Sequence, residues 1–256
     1  MKAIHFILQG KGGVGKSFIS TMLAQYLLEA NIPITCLDTD PVNSTFQYFK
    51  KLSVRHEKIT NEHNVIDDFL IQKLALDILK TMETAKANNL QIIVDNGATS
   101  FLPINNFLAN SEAFSVFHEA GNEVFVHTIL TGGAGMIDTF QGLEHLLKTF
   151  LENCKLVVWE NPYFGKIESN GMGFEDTTLY SENKDKILGI IKLPTWDTLS
   201  AYTIEKIMNA HLTFSEVNTL WKEGEKEGFD IFTAQRAKNI KKKIFTQIDP
   251  IGSQFL

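Results

Sequence analysis

The chain is predicted to be α/β: a doubly wound, mainly parallel sheet with helices on both faces. Three observations carry that expectation. Short apolar runs alternate with segments of helical spacing along all 256 residues. The first run, Ala3 to Leu8, leads into Gly10-Lys11-Gly12-Gly13-Val14-Gly15-Lys16-Ser17, and a helical pattern from Phe18 through Leu28 follows at once. Acids and small polar residues recur where the apolar runs stop, and aspartate is a poor strand residue.

Taken in order, the second strand is Ile32–Leu37, ending in Asp38-Thr39-Asp40-Pro41, with Asn43 and Ser44 suited to a turn or cap. Residues 52–64 are polar and carry no clear period. His56 and His63 there lack a metal-site array and read as solvated. From Val65 to Ala87, Leu70, Leu74, Ile78 and Met82 recur at helical spacing. A third strand, Gln91–Val94, ends in Asp95-Asn96-Gly97. The fourth, Asn122–Leu130, runs into Thr131-Gly132-Gly133-Ala134-Gly135, a small-residue turn opening a helix. No Gly-Lys-Ser follows it, so it reads as close backbone approach at the same face. His118, Glu119 and His127 do not match His-Glu-x-x-His, and His127 reads as a strand histidine. The fifth strand, Lys155–Trp159, ends in Glu160-Asn161-Pro162, and helical material surrounds 174–183. The sixth, Ile187–Leu193, stops at Pro194; the rest reads as helix over 205–210, 214–220 and 230–247. With no low-complexity linker and no internal repeat, one domain over residues 1–256 is expected.

Composition sets outer limits. The hydrophobic fraction of 44% and charged fraction of 21% are those of an ordinary globular protein. A net charge of −6 offers no global attraction to nucleic acid or anionic lipid. Cys36 and Cys154 lie in or beside apolar runs, so a disulfide framework is not expected and a reducing cytoplasm fits. Neither a leader nor an apolar stretch of spanning length is visible.

The glycine-rich stretch has the spacing Gly, four residues, Gly-Lys-Ser, in the strand–loop–helix context that a phosphate-binding loop requires. Glycines let successive backbone N–H groups approach phosphate oxygens, and the helix adds free amides and the positive end of its dipole. Gly10, Lys11, Gly12, Gly13, Val14, Gly15, Lys16 and Ser17, with Phe18 opening the helix, are the candidate nucleotide cradle. Lys16 would reach the β- and γ-phosphates, and the Ser17 hydroxyl would ligate Mg²⁺. The plainer alternative is a glycine-rich turn that happens to contain a lysine. In doubly wound sheets ligands sit outside the carboxyl ends of the strands. Asp38 and Asp95 are therefore candidates for holding the metal's waters, and Asp40 for orienting an attacking water. The competing role for Asp40 is a turn residue before Pro41.

Lys-Gly-Gly-Val-Gly-Lys-Ser resembles the deviant phosphate loop of the ParA/MinD/nitrogenase-iron-protein class of ATPases. The resemblance implies that Lys11 is the class's second lysine, reaching the nucleotide of a partner subunit when two copies close over two ATP molecules, with Lys16 acting in cis. It also implies that Asp38-Thr39-Asp40-Pro41 and Asp95-Asn96-Gly97 are switch segments. Asn161-Pro162 then falls where the class bonds adenine, and Pro194 where a late loop closes that pocket. Further blocks, among them Asp38 to Phe46, Asp95 to Phe101 and Val157 to Pro162, resemble a branch of the class that serves conjugative plasmid transfer. This implies ATP/ADP binding, a homodimer on ATP binding and a protein partner in the conjugation machinery. Two positions depart from the wider class. Phe18 replaces a second hydroxyl residue, and Asn96-Gly97-Ala98 replaces the usual residues after the second switch aspartate.

Arg236, Lys238, Lys241, Lys242 and Lys243 share a carboxyl-terminal segment with Ala237, Ile240, Ile244 and Ile248, which fall on one helical face. The expectation is a helix packed on the sheet with its cations in water. A weak, salt-sensitive DNA contact is the alternative, and membrane attachment is not expected, since the stripe lacks a Trp- or Leu-rich face.

Overall fold

The computed structural model describes residues 1–149, 153–223 and 228–255. β1 (Ala3–Ile7), β2 (Ile34–Asp38), β3 (Arg55–His56), β4 (Gln91–Asp95), β5 (Glu123–Thr131) and β6 (Lys155–Asn161) form one sheet with β9 (Ile187–Lys192); a separate hairpin pairs β7 (Glu168–Ser169) with β8 (Met172–Gly173). The sheet order is β3-β2-β4-β1-β5-β6-β9, and every pairing in it is parallel. Parallel strands need crossover helices, which cover both faces, so the central strands are buried throughout. All five residues of β1 and of β4 are buried.

One layer holds α1 (Lys16–Glu29), α7 (Thr198–Asn209), α8 (Phe214–Glu223) and α9 (Ile231–Gly252), sharing a core with Ile7, Phe125 and Trp159. The other holds α2 (Asp68–Thr84), α3 (Phe101–Asn110), α4 (Ala113–Glu119) and α5 (Met136–Thr149), around Phe6, Leu37 and Val158. A short α6 (Thr178–Asn183) follows the hairpin. The expected doubly wound sheet is what the chain forms.

Differences from expectation are local. Residues 52–64 contain the two-residue β3, which pairs with β2 at Leu37–Arg55 and Asp38–His56; polar residues suffice because both are exposed at the edge. α3 and α4 have no counterpart in the sequence reading, and Pro103 at the third position of α3 is tolerated because first-turn amides have no partner inside the helix. α7 begins at Thr198, capped by Asp197, whose carboxylate accepts from Ser200 N at 2.9 Å. α9 runs through Pro250, the helix's third-last residue, to Gly252. On α9, Ala237, Ile240, Ile244 and Ile248 are buried, as their spacing predicts.

A chain of buried polar groups crosses the sheet. Trp159 Nε1 donates to His127 Nδ1 at 3.0 Å, so His127 carries its proton on Nε2. That Nε2–H donates to His5 Nδ1 at 3.0 Å, and His5 Nε2–H donates to Gln91 Oε1 at 2.8 Å. Gln91 Nε2 then donates to the carbonyls of Met1 at 2.8 Å and Phe255 at 2.9 Å. One tautomer at each ring satisfies every group, and a second proton on either ring would face a donor. Burial lowers the His5 pKa to about 4 and holds His127 well below the usual histidine value. The folded state therefore keeps both rings neutral. Their contribution is complete above the unfolded value of about 6.5 and is lost as pH falls from there through about 4. His5 alone should cost about 2 kcal/mol of stability between pH 7 and pH 5. Denaturant titrations at the two pH values test this, and His5→Gln, which cannot titrate, should show a smaller loss.

Candidate functional site

At their carboxyl ends β1, β2 and β4 are joined by hydrogen bonds that β-pairing alone does not supply. Thr39 N donates to Asp95 O at 2.9 Å, and Thr39 Oγ1 donates to Asn96 Oδ1 at 2.9 Å. Asn96 Nδ2 donates to Ile7 O at 3.3 Å. Register places Asp38 level with Asp95, and Asp95 level with Ile7, so both acids sit at the edge from which the glycine loop leaves β1.

The loop needs glycine at two positions: Gly13 has φ of 76° and Gly15 of 104°. Gly15 caps α1 without a side chain, leaving the first amides of the helix facing the loop. Gly12, Gly13, Gly15, Lys16, Ser17 and Phe18 line a hollow of about 450 Å³, and Asp40, Asn43 and Met208 of α7 line it too. Lys16 is 8% exposed, and its Nζ donates to Lys11 O at 3.2 Å. Desolvation pushes its pKa down, against the pull of Asp95 and Asp40.

Asp38 and Asp95 do not line this hollow and are buried, at 0% and 1% exposure, with Asp95 bonded to Ser17 of its lining. Burial raises the Asp95 pKa to about 7, while hydroxyl donors from Ser17 and Ser20 pull it down and Asp38 pushes it up. Ser20 Oγ lies 2.9 Å from Asp95 Oδ1. Asp38 is also raised, chiefly by burial, although it accepts from Asp40 N at 3.0 Å and Gln47 N at 2.9 Å. Asp40 Oδ1 accepts from Val42 N at 2.9 Å and Asn43 N at 3.0 Å, which is the turn role. The same carboxylate abuts Gly97, where a Cβ would come within 2.8 Å of it. The segments that follow β2 and β4 therefore touch.

The other expected residues are distributed around the loop. Val14 is buried in the core, and Gly10 packs on the Phe101 ring. Asn161 lies beneath the loop, its Nδ2 donating to Val14 O at 2.9 Å. Lys11 leans outward, its Nζ 2.7 Å from Asp138 Oδ2 on α5. Pro194 lines a different hollow, with Trp196, Arg236 and Lys243, and does not border the one at the loop. Gly132 and Gly133 approach the backbone of residues 164–166, and Gly135 sits beside the Lys11 stem.

Several residues here went unread in the sequence. Ser20, one helical turn after Ser17, had a usable signal in that spacing. Asp138, Gln47 and Met208 had none, since only the fold brings them close. His56, read as solvated, is exposed, yet its Nδ1 is 3.3 Å from Ser44 Oγ in the loop after Asp40.

Residues 5–248 match the family described as the CobQ/CobB/MinD/ParA nucleotide binding domain. Two Escherichia coli proteins named TraL are 36% and 34% identical over 250 residues, each comparison covering 97% of this chain and 98% of the relative. The chain belongs to this nucleotide-binding family, in its TraL branch. Among solved structures, the MinC:MinD cell division complex of Aquifex aeolicus aligns with a TM-score of 0.52 at 15% identity, covering 94% of this chain and 96% of that one, a likeness of fold. Family membership makes the glycine loop the phosphate loop of a nucleotide-binding domain.

The donor set also suits a divalent cation. Among the described residues no group of three His, Cys, Asp or Glu side chains is arranged to hold a metal by itself. Two buried carboxylates with raised pKa values nevertheless await positive charge beside a serine hydroxyl, which is the chemistry of an ion bound mostly by water and phosphate oxygens. Without such an ion, Asp95 destabilises the fold increasingly as pH rises from about 4 to about 7, since its folded pKa lies above its unfolded one. Asp95→Asn should therefore raise the stability of the ligand-free protein at pH 8 by at least about 1 kcal/mol. Thermal melts of the two proteins at pH 8 and pH 5 measure this, and the gain should shrink at pH 5.

Proposed function

We propose that this protein is a Mg²⁺-dependent ATPase that closes into a homodimer on ATP binding and acts as a nucleotide-driven switch in conjugative plasmid transfer. The observation that carries the nucleotide chemistry is the hollow lined by the glycine loop, buried Lys16, Ser17 and Asp40, with buried Asp95 bonded to Ser17 and drawn by the Lys16 charge. The biological half rests on the TraL relatives, together with the likeness to conjugal transfer ATPases.

In this reading the loop amides and α1 hold the phosphates, and Lys16 sits against the β- and γ-phosphates, where its desolvated ammonium is worth most. Ser17 would ligate Mg²⁺, and Asp38 and Asp95 would orient its waters; the ion supplies neutralisation of the charge on the phosphate oxygens. Asp40 orients the attacking water once it leaves its turn contacts. Asn161 and the loop at Pro194 bound the adenine, which requires Pro194 to approach a hollow it does not now border. Lys11, released from Asp138, reaches the nucleotide of the second copy. The partners are ATP and ADP, a second copy and a protein of the conjugation machinery, and the setting is the cytoplasm.

A second reading, a nucleotide-gated binding module with negligible hydrolysis, is favoured by one observation. The Asp40 carboxylate is already occupied by two backbone amides. Tight ATP binding with no phosphate release, even with partners present, would select it. A DNA contact through α9 has less support: Arg236 bonds Thr203 and Thr233, and Lys241 pairs with Glu29.

Lys16→Ala should weaken ATP binding at least about tenfold; an affinity within about twofold of the parent would sink the nucleotide reading. Size measurement with ATP and Mg²⁺ should show doubling of the parent and none for Lys11→Ala. Doubling in both would remove the trans role of Lys11.

A further inference from the structure

Gln9 is the last residue before the phosphate loop, and no step above uses it. It is 1% exposed, and its carboxamide fills the gap between β5 and α5. Nε2 lies 2.9 Å from Ile129 O on β5 and 3.1 Å from Thr139 O on α5, with Thr128 Oγ1 at 3.3 Å. Oε1 accepts from Lys11 N at 3.3 Å. The amide has only one workable orientation, because turning it over would set oxygen against two carbonyls and NH₂ against an N–H.

The helix is shaped to receive this side chain. A Cβ at Gly142, in the middle of α5, would lie 2.2 Å from Gln9 Oε1. Glycine in a helix interior costs about 1 kcal/mol relative to alanine, and the carboxamide occupies the volume it leaves. One turn earlier on α5 stands Asp138, which holds Lys11 Nζ at 2.7 Å. Gln9 thus bonds the backbone of Lys11 and also the helix whose aspartate holds that lysine's ammonium. Thr139 reinforces the link, its Oγ1 accepting from Thr131 N at 3.3 Å.

We propose that Gln9 and Gly142 form a buried bracket that makes α5 and the phosphate loop move as one unit, with Gln9 the positioning residue for Lys11. The consequence for function rests on the role given to Lys11 above; the mechanical coupling does not. A displacement of α5, whose Ile137 is 68% exposed near its start, is then felt at Lys11 through both the amide bond and Asp138. Gln9→Glu keeps the size of the side chain but turns an oxygen toward two carbonyls, so it is as disruptive as Gln9→Leu.

Two measurements on the full chain test this. Amide hydrogen exchange at Lys11 should speed up at least about tenfold in Gln9→Leu and in Gly142→Ala, while amides of β4 keep their protection as a control for folding. Unchanged Lys11 exchange in both variants overturns the bracket. In the second, Gln9→Leu should weaken ATP-driven dimerisation about tenfold and leave ATP affinity within about threefold of the parent. At protein concentrations raised until Lys11→Ala also dimerises, the same change in that background should add nothing, and an equal cost in both backgrounds shows a merely structural residue and overturns the positioning role. If Lys11→Ala dimerises like the parent, the role of Lys11 falls, and the functional half of this inference with it; the exchange result still decides the bracket.

Discussion

A carboxylate and an ammonium both held out of water, near enough to feel each other's charge, are what the rest of this molecule accommodates. Asp95 and Lys16 are both buried, and burial pushes both toward their neutral forms. Mutual attraction in a low-dielectric site repays part of that desolvation cost, and rarely all of it. Asp38 adds a second negative charge at the same depth. A divalent cation would relieve such an imbalance, and the loop amides with the α1 dipole would supply the complementary field for phosphate oxygens.

Holding these charges requires strand ends that do not fray. The tips of parallel strands leave carbonyls and amides without ladder partners, and here side chains take their place. Thr39 and Asn96 join β2, β4 and β1 just past the acids. Deeper in the sheet, the series from Trp159 through His127 and His5 to Gln91 does similar work, crossing β6, β5, β1 and β4 with every donor and acceptor used. A polar network of this kind allows only one register, because a shift of one residue would orphan several buried groups at once.

The same logic explains why α5 is more than a cover for the sheet. Its Gly142 admits Gln9, its Thr139 receives the end of β5, and its Asp138 holds Lys11. α9, by contrast, is a packing element in most of its length. Its isoleucines are buried, Arg236 is held by threonines of α7 and of its own first turn, and Lys243 lies over the Trp196 ring. The basic cluster is therefore partly committed to intramolecular contacts, with Lys238 and Lys242 left exposed.

The fold class and the phosphate loop were legible in the chain itself, because both are local. Parallel strands buried on two faces must be continuous apolar runs, and a loop that bends through positive φ beside a phosphate must be rich in glycine. Gly13 and Gly15 could be picked out for that reason, and Asp38 and Asp95 could be placed at the strand ends where the apolar runs stop. Weakly patterned segments were not legible: β3 is two exposed residues at an edge, and α3 carries a proline in its first turn. Contacts between distant residues were settled only by tertiary structure. Nothing near Lys11 in sequence announces Asp138, and nothing near Gln9 announces Gly142, since each pair is joined by the crossover that sets α5 against the end of β1. Even the place of Pro194, away from the loop's hollow, depends on where α7 and α9 settle on the sheet, because packing fixes such distances and residue order does not.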